Sequence, residues 1–294
     1  MIVLVVTISS LTAFAQAPAL RLTAAQGVMT VYHGRSDARY DVVFLSATEN
    51  GKPAPEWVRT AFLRQQGQLD PYRNLTQTDF FTSTAIVTEQ RDDGARVVRT
   101  ETTSRSTNLF AGFNPMTFTS QAAYLPDGRI EALEYRVNSL LPTFALEGEA
   151  REVFEESYER SWQLSVLLLE ACYIARVGEA QSQPIIADPK RFEPNTTEKS
   201  LRIGSVRVSQ LRDGRFECRV NLETLFDRTD QPPQTYEITT RFLPDGREDT
   251  VQSRSAIVLQ DGAREFQHQG RVFSVKSQYV YRNTYTLERD PNSP

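Results

Sequence analysis

The sequence predicts an α+β protein that is mainly antiparallel β: a strongly curved sheet or half-barrel of long, hairpin-connected strands with one long and one short helix. Three observations predict it. Asp-Gly pairs at 93–94, 127–128, 213–214, 245–246 and 261–262 each sit between runs of alternating apolar and polar residues. Glycine supplies the positive φ of a hairpin turn, and aspartate bonds its own backbone there, so each pair predicts a hairpin. The alternating runs reach ten residues or more, longer than the ~5–6 usual for a strand, and long strands coil and bend. A segment from Glu147 to Val177 has no Pro and, past Gly148, no Gly. Its Phe154, Tyr158, Trp162, Leu169 and Tyr173 recur at helical steps.

The N-terminus is an apolar run ending in Ala13-Phe14-Ala15-Gln16-Ala17, the small-residue spacing of a cleaved export signal over residues 1–17, without the usual basic residues ahead of it. Residues 18–294 then form a single β-rich domain. It begins with a hairpin, strands near Val28–His33 and Tyr40–Ala47 around the polar turn His33-Gly34-Arg35-Ser36-Asp37, followed by a short helix from Pro55 to Gln66. Leu125-Pro126-Asp127-Gly128-Arg129 recurs letter for letter as Leu243-Pro244-Asp245-Gly246-Arg247, at a similar distance behind an earlier Asp-Gly turn. This reads as two related meanders, 84–138 and 201–287, joined by the helix 147–177 and a polar Pro-containing loop 181–199. Gly204 and Gly270 mark expected bulges. On the second meander Phe216, Cys218, Val220 and Leu222 alternate with Glu217, Arg219, Asn221 and Glu223, a strand with one wet face.

Composition narrows the function classes. The chain has 294 residues, with 33 Lys+Arg against 37 Asp+Glu and a net charge of −4, which gives no electrostatic reason to bind nucleic acid or an anionic membrane. Two cysteines exclude a Cys-rich zinc site. No cofactor motif, nucleophile elbow or metalloprotease motif occurs, so no catalytic residue, metal ligand or cofactor is assigned. No cysteine lies near the expected cleavage site to carry a lipoprotein anchor, and no later segment is long enough to span a bilayer as a helix, so the expected location is secreted or periplasmic.

Cys172, on the apolar helix face, and Cys218, on the inward strand face, form a disulfide if helix and strand cross; otherwise they are two buried thiols. Glu170 lies among apolar neighbours, where an unpaired carboxylate is costly; it pairs with a cation, caps a pocket, or takes the helix's one wet strip. His268 alternates with Phe266 and Val272 and points inward as a core histidine or a base, whereas His33 is exposed. Glu155 and Glu159 are a solvated i, i+4 pair. The aromatic side chains Tyr158, Trp162, Tyr173, Phe216, Tyr236, Phe242, Tyr279 and Tyr281, with Glu170 and His268, are the expected lining where helix meets sheet.

This arrangement is similar in architecture to periplasmic lipoprotein carriers, in which a half-open barrel holds a helical lid; no residue is carried over from them. The functional expectation is an exported, soluble, non-enzymatic protein holding an apolar small molecule or lipid between curved sheet and helix, with no membrane span, no nucleic acid and the protein partner open. The alternatives are an envelope or extracellular interaction module with a solid core, and an enzyme using a Glu170/His268 acid–base pair.

Overall fold

Four of the five Asp-Gly pairs close hairpins by the same set of bonds. In the turn at 125–129, the Leu125 amide donates to the Arg129 carbonyl (2.9 Å) and the Gly128 amide to the Leu125 carbonyl (3.0 Å). The Asp127 carboxylate accepts from the Arg129 amide (3.0 Å). The turns at 91–95, 211–215 and 243–247 repeat this pattern, with a positive φ at each glycine. The fifth pair departs from expectation. Asp261 and Gly262 lie inside a long strand, opposite Gln278 and Ser277, and the hairpin closes at Gln269-Gly270, where both residues have positive φ. A turn needs the backbone conformation as well as residues that tolerate it. Gly270 is therefore a turn residue, whereas Gly204 does sit at a bulge between Ile203 and Ser205.

The computed structural model describes residues 19–66, 76–106, 115–139, 149–181, 199–226 and 234–293. The export segment 1–17 and most of the loop 181–199 lie outside them. The elements in chain order are β1 (Met29–Glu49), β2 (Lys52–Pro53), α1 (Trp57–Gln65), β3 (Thr76–Gln90), β4 (Arg96–Ser106), β5 (Met116–Tyr124), β6 (Ile130–Ser139), α2 (Glu149–Ile174), β7 (Ala180–Gln181), β8 (Lys199–Gln210), β9 (Phe216–Phe226), β10 (Gln234–Phe242), β11 (Glu248–His268) and β12 (Arg271–Arg289).

These strands form one antiparallel sheet of 12, in the order β6-β5-β4-β3-β1-β12-β11-β10-β9-β8-β7, with β2 paired to β1. The sheet is not closed: among the described residues β6 and β7 end the order unpaired with each other. β1 is one strand of 21 residues where a hairpin was expected. Its polar stretch 33–37 runs extended between β12 and β3. Gly34 allows the approach, since a Cβ there would come within 2.9 Å of Leu287 Cδ1.

α2 packs against β6 on one side and against β8 and β9 on the other, strands from opposite halves of the order. Its C-terminal half, with Val166, Ala171, Cys172, Tyr173 and Ala175, enters a core with Val206, Val208, Phe216, Val220 and Phe242. Burial of a large apolar side chain stabilises by about 1.5–3 kcal/mol, so this cluster is what holds helix to sheet. A second core, Val58, Phe62, Phe266, Phe273 and Val275, seats α1 on β11 and β12.

Candidate functional site

The two identical turns meet at the C-terminal end of α2. The segment just before β1 runs between them and ties both. Arg21 donates from Nε to the Pro126 carbonyl and from Nη1 to the Tyr173 carbonyl, each at 2.6 Å. The Thr23 amide donates to the Asp245 carbonyl (2.7 Å), and the Tyr173 hydroxyl to the Gly246 carbonyl (2.5 Å). The approach is close enough that a Cβ on Gly246 would stand 2.1 Å from the Arg21 carbonyl oxygen, and one on Gly128 2.7 Å from that of Tyr173.

One residue further back along the helix, Cys172 is bonded to Cys218 of β9, with Cα atoms 5.8 Å apart. Beside this bridge lies a pocket of about 290 Å³. Ser165, Leu168 and Leu169 of α2 form one wall, and Val220, Ile238, Thr240, Val251, Ser253, Tyr285 and Leu287 of the sheet form the other. A smaller cavity of about 60 Å³ lies next to it, lined among others by Tyr32, Tyr124 and Tyr173. Glu248, the first residue of β11, borders both.

Among the described residues Glu248 is the one carboxyl lining the larger pocket. Burial raises its pKa to about 7, because a charged carboxylate loses much of its water there. Burial also pushes the Tyr32 and Tyr285 hydroxyls well above the ordinary tyrosine value, and the nearby Glu248 charge adds to this. Tyr124 and Tyr173 are shifted the same way, burial again first.

None of the ten residues expected to line a site borders the larger pocket. Tyr173, Phe216 and Phe242 are buried in the core, with Trp162 and Tyr236 packed against it. Tyr158 stacks on Phe118 at 5.1 Å. Glu170 accepts the Ile130 amide at 2.7 Å, joining α2 to β6. His268 lies at the other core, 5.4 Å from the Trp57 ring. The Tyr279 hydroxyl donates to Gln66 (2.7 Å), and Tyr281 packs on Tyr40 at 5.0 Å. Five of the eight aromatic side chains thus belong to the core around α2 and three lie outside it, and the Glu170/His268 pair does not form, because Glu170 is held at β6 and His268 lies beside Trp57 of α1.

No protein-family profile and no curated protein match the chain. Solved structures similar to it include an outer-membrane channel from Pseudomonas putida F1, at 7% identity over 91% of this chain and 98% of that one, with a TM-score of 0.23. Others are the Acinetobacter baumannii outer-membrane protein Omp33, at 7% identity over 90% and 100% with a TM-score of 0.22, and the attachment invasion locus protein Ail of Yersinia pestis, at 8% identity over 89% and 99% with a TM-score of 0.14.

These neighbours are outer-membrane proteins, against the expectation of a soluble, secreted or periplasmic lipid carrier or interaction module with no membrane span, and that expectation is not carried forward. The C-terminal half of α2 and the disulfide pack into the space where an open trough was expected, leaving only the pocket described above. The likeness lies in the antiparallel strands. A spanning barrel turns apolar side chains outward to lipid, whereas in β9 Phe216, Cys218, Val220 and Leu222 belong to the core against α2. Among the described residues no helix is long and apolar enough to cross a membrane.

Proposed function

We propose that this is an exported chain that binds a small organic molecule in the pocket between α2 and the sheet. The observation that carries the reading is the pocket itself: about 290 Å³, walled mostly by apolar side chains, with the half-buried Glu248 carboxyl at its edge. Such a volume is at the small end for ligand sites, about 300–1,000 Å³, and the combination of apolar walls with a few polar groups is typical of them. Export is supported by the small-residue pattern ending at Ala17 and by a disulfide, which persists in oxidising compartments.

The strong curvature of the sheet belongs to the same proposal. It is supported by a single helix contacting β6, β8 and β9 across the strand order. Descent of the two meanders from one unit is supported by a shared packing relation. A Cβ on Gly94 would meet Pro126 Cγ at 3.2 Å, and one on Gly214 would meet Pro244 Cγ at 3.8 Å.

The test is a fragment screen by saturation-transfer NMR on the wild type and on Ser165→Trp, which places a large side chain at the exposed helix rim of the pocket. Hits are expected with the wild type and should be lost in the variant. No hits, or hits that survive the variant unchanged, would overturn the reading.

A further inference from the structure

A second cleft, of about 490 Å³, lies where α1 meets the end of β11. It is lined by Trp57, Thr60, Ala61, Arg64 and Gln65 of the helix and His268 of the strand. The helical residues recur at three- and four-residue steps, which makes them one face of α1. The adjoining face carries Val58 and Phe62 into the core beneath. The cleft shares no lining residue with the pocket beside α2.

One end of the cleft is aromatic. The Trp57 ring meets Phe273 edge-on, with ring centres 5.5 Å apart. His268 is tilted against it at 5.4 Å while stacking on Phe266 at 5.9 Å. The Arg271 guanidinium over the same ring, at 5.6 Å, is bonded to Glu49 (2.8 Å). With these contacts made, Trp57 is still 37% exposed. An indole held in place with open surface offers a flat apolar platform.

The other end is cationic. Arg64 is the one permanently charged side chain in the lining, and its exposed guanidinium makes no ion pair or hydrogen bond among the described residues. It stands in the last turn of α1, where the helix carbonyls repel an anion, so attraction for one rests on the guanidinium. Thr60 and Gln65 add hydrogen-bond donors. Among the described residues no carboxylate lines the cleft, so nothing there neutralises a cationic ligand. Trp57 and Arg64 are two helical turns apart, about 10 Å along the axis, and a long helical side chain leans back toward the N-terminus. A ring and a carboxylate a few bonds apart span that gap.

We propose that this cleft binds a small carboxylate carrying a flat ring. The ring rests on Trp57 and Ala61, and the carboxylate accepts two N–H groups of the Arg64 guanidinium.

Hydrocinnamate and its neutral amide, hydrocinnamamide, separate charge from shape. The chain has two tryptophans, so proton–nitrogen correlation spectra of the full chain carry two indole signals, and Trp162→Phe assigns the one from Trp57. Hydrocinnamate should shift the Trp57 signal saturably and bind about fivefold tighter than the amide. Arg64→Gln, a substitution at an exposed position, should remove that difference and leave the amide's binding as it was. Ser165→Trp, in the other pocket, should change neither. Absence of a saturable shift, equal affinities in the wild type, a preference that persists in Arg64→Gln, or binding lost in Ser165→Trp would overturn the assignment.

Discussion

Gly246 shows how little freedom a single residue has at the junction of the two turns. Its φ of +85° is the left-handed region, and its missing side chain lets the Arg21 carbonyl lie against it. Gly51 has a similar φ of +77° but open space around it. A left-handed non-glycine residue costs about 1–3 kcal/mol. Gly51→Ala should therefore lose about 1 kcal/mol, whereas Gly246→Ala, which must also displace the backbone, should lose 3 kcal/mol or more by denaturant midpoint. Equal losses would mean that the junction is loosely packed. Glu248 makes a second prediction. Its folded pKa of about 7 lies above its ordinary 4.5, so the native state holds the extra proton between those values, and stability must fall as pH rises from 4.5 to 7. Relative to Glu248→Gln, the ligand-free wild type should lose about 2–3 kcal/mol over that window in chemical unfolding, and nothing below it. The local sequence hides this residue: Arg247-Glu248-Asp249 reads as a wet stretch, and only the alignment of the two repeated turns, which sets Glu248 against the buried Ile130, marks the position as inward.

At the scale of elements, α2 is held by unlike fastenings: the disulfide to β9, the Glu170 carboxylate on the Ile130 amide of β6, and the core between them. Cys172 and Cys218 are 46 residues apart, and a bridge of that span stabilises by about 2–4 kcal/mol. The Cys172→Ala/Cys218→Ala double variant should unfold at lower denaturant by that amount, and reductant should leave its midpoint unchanged while lowering that of the wild type. A wild type indifferent to reductant would show the thiols unbonded. Helices and turns were legible because their signals are local. The periodic stripe placed α2 within three residues at either end, and four Asp-Gly corners fell where expected. β1 was misread because Gly34 and Ser36 carry no apolar signal; what makes the stretch a strand is pairing with β12 and β3, residues far away in sequence. The expected aromatic side chains are likewise dispersed by contacts far away in sequence. An inward face says that a residue is buried, not which partners receive it.

At the scale of the whole molecule, β1 is the seam. It joins the β3–β6 meander to the β8–β12 strands, and the segment before it stitches the two repeated turns together. The chain N-terminal to that segment is the proposed export signal, and its removal would leave Pro18 as the first residue, three positions ahead of Arg21 in sequence. Intact mass of the protein recovered from expressing cells should be that of residues 18–294, whereas retention of the first 17 residues in correctly folded protein would contradict export by this signal. The central claim is that α2 and the sheet together form a pocket that withdraws the Glu248 carboxyl from much of its water. Its most direct test is the titration of the Glu248 side chain by carbon-13 NMR in the ligand-free chain. The account predicts a midpoint near 7, while a midpoint at the ordinary value of 4.5 would show the carboxyl in water and the pocket open.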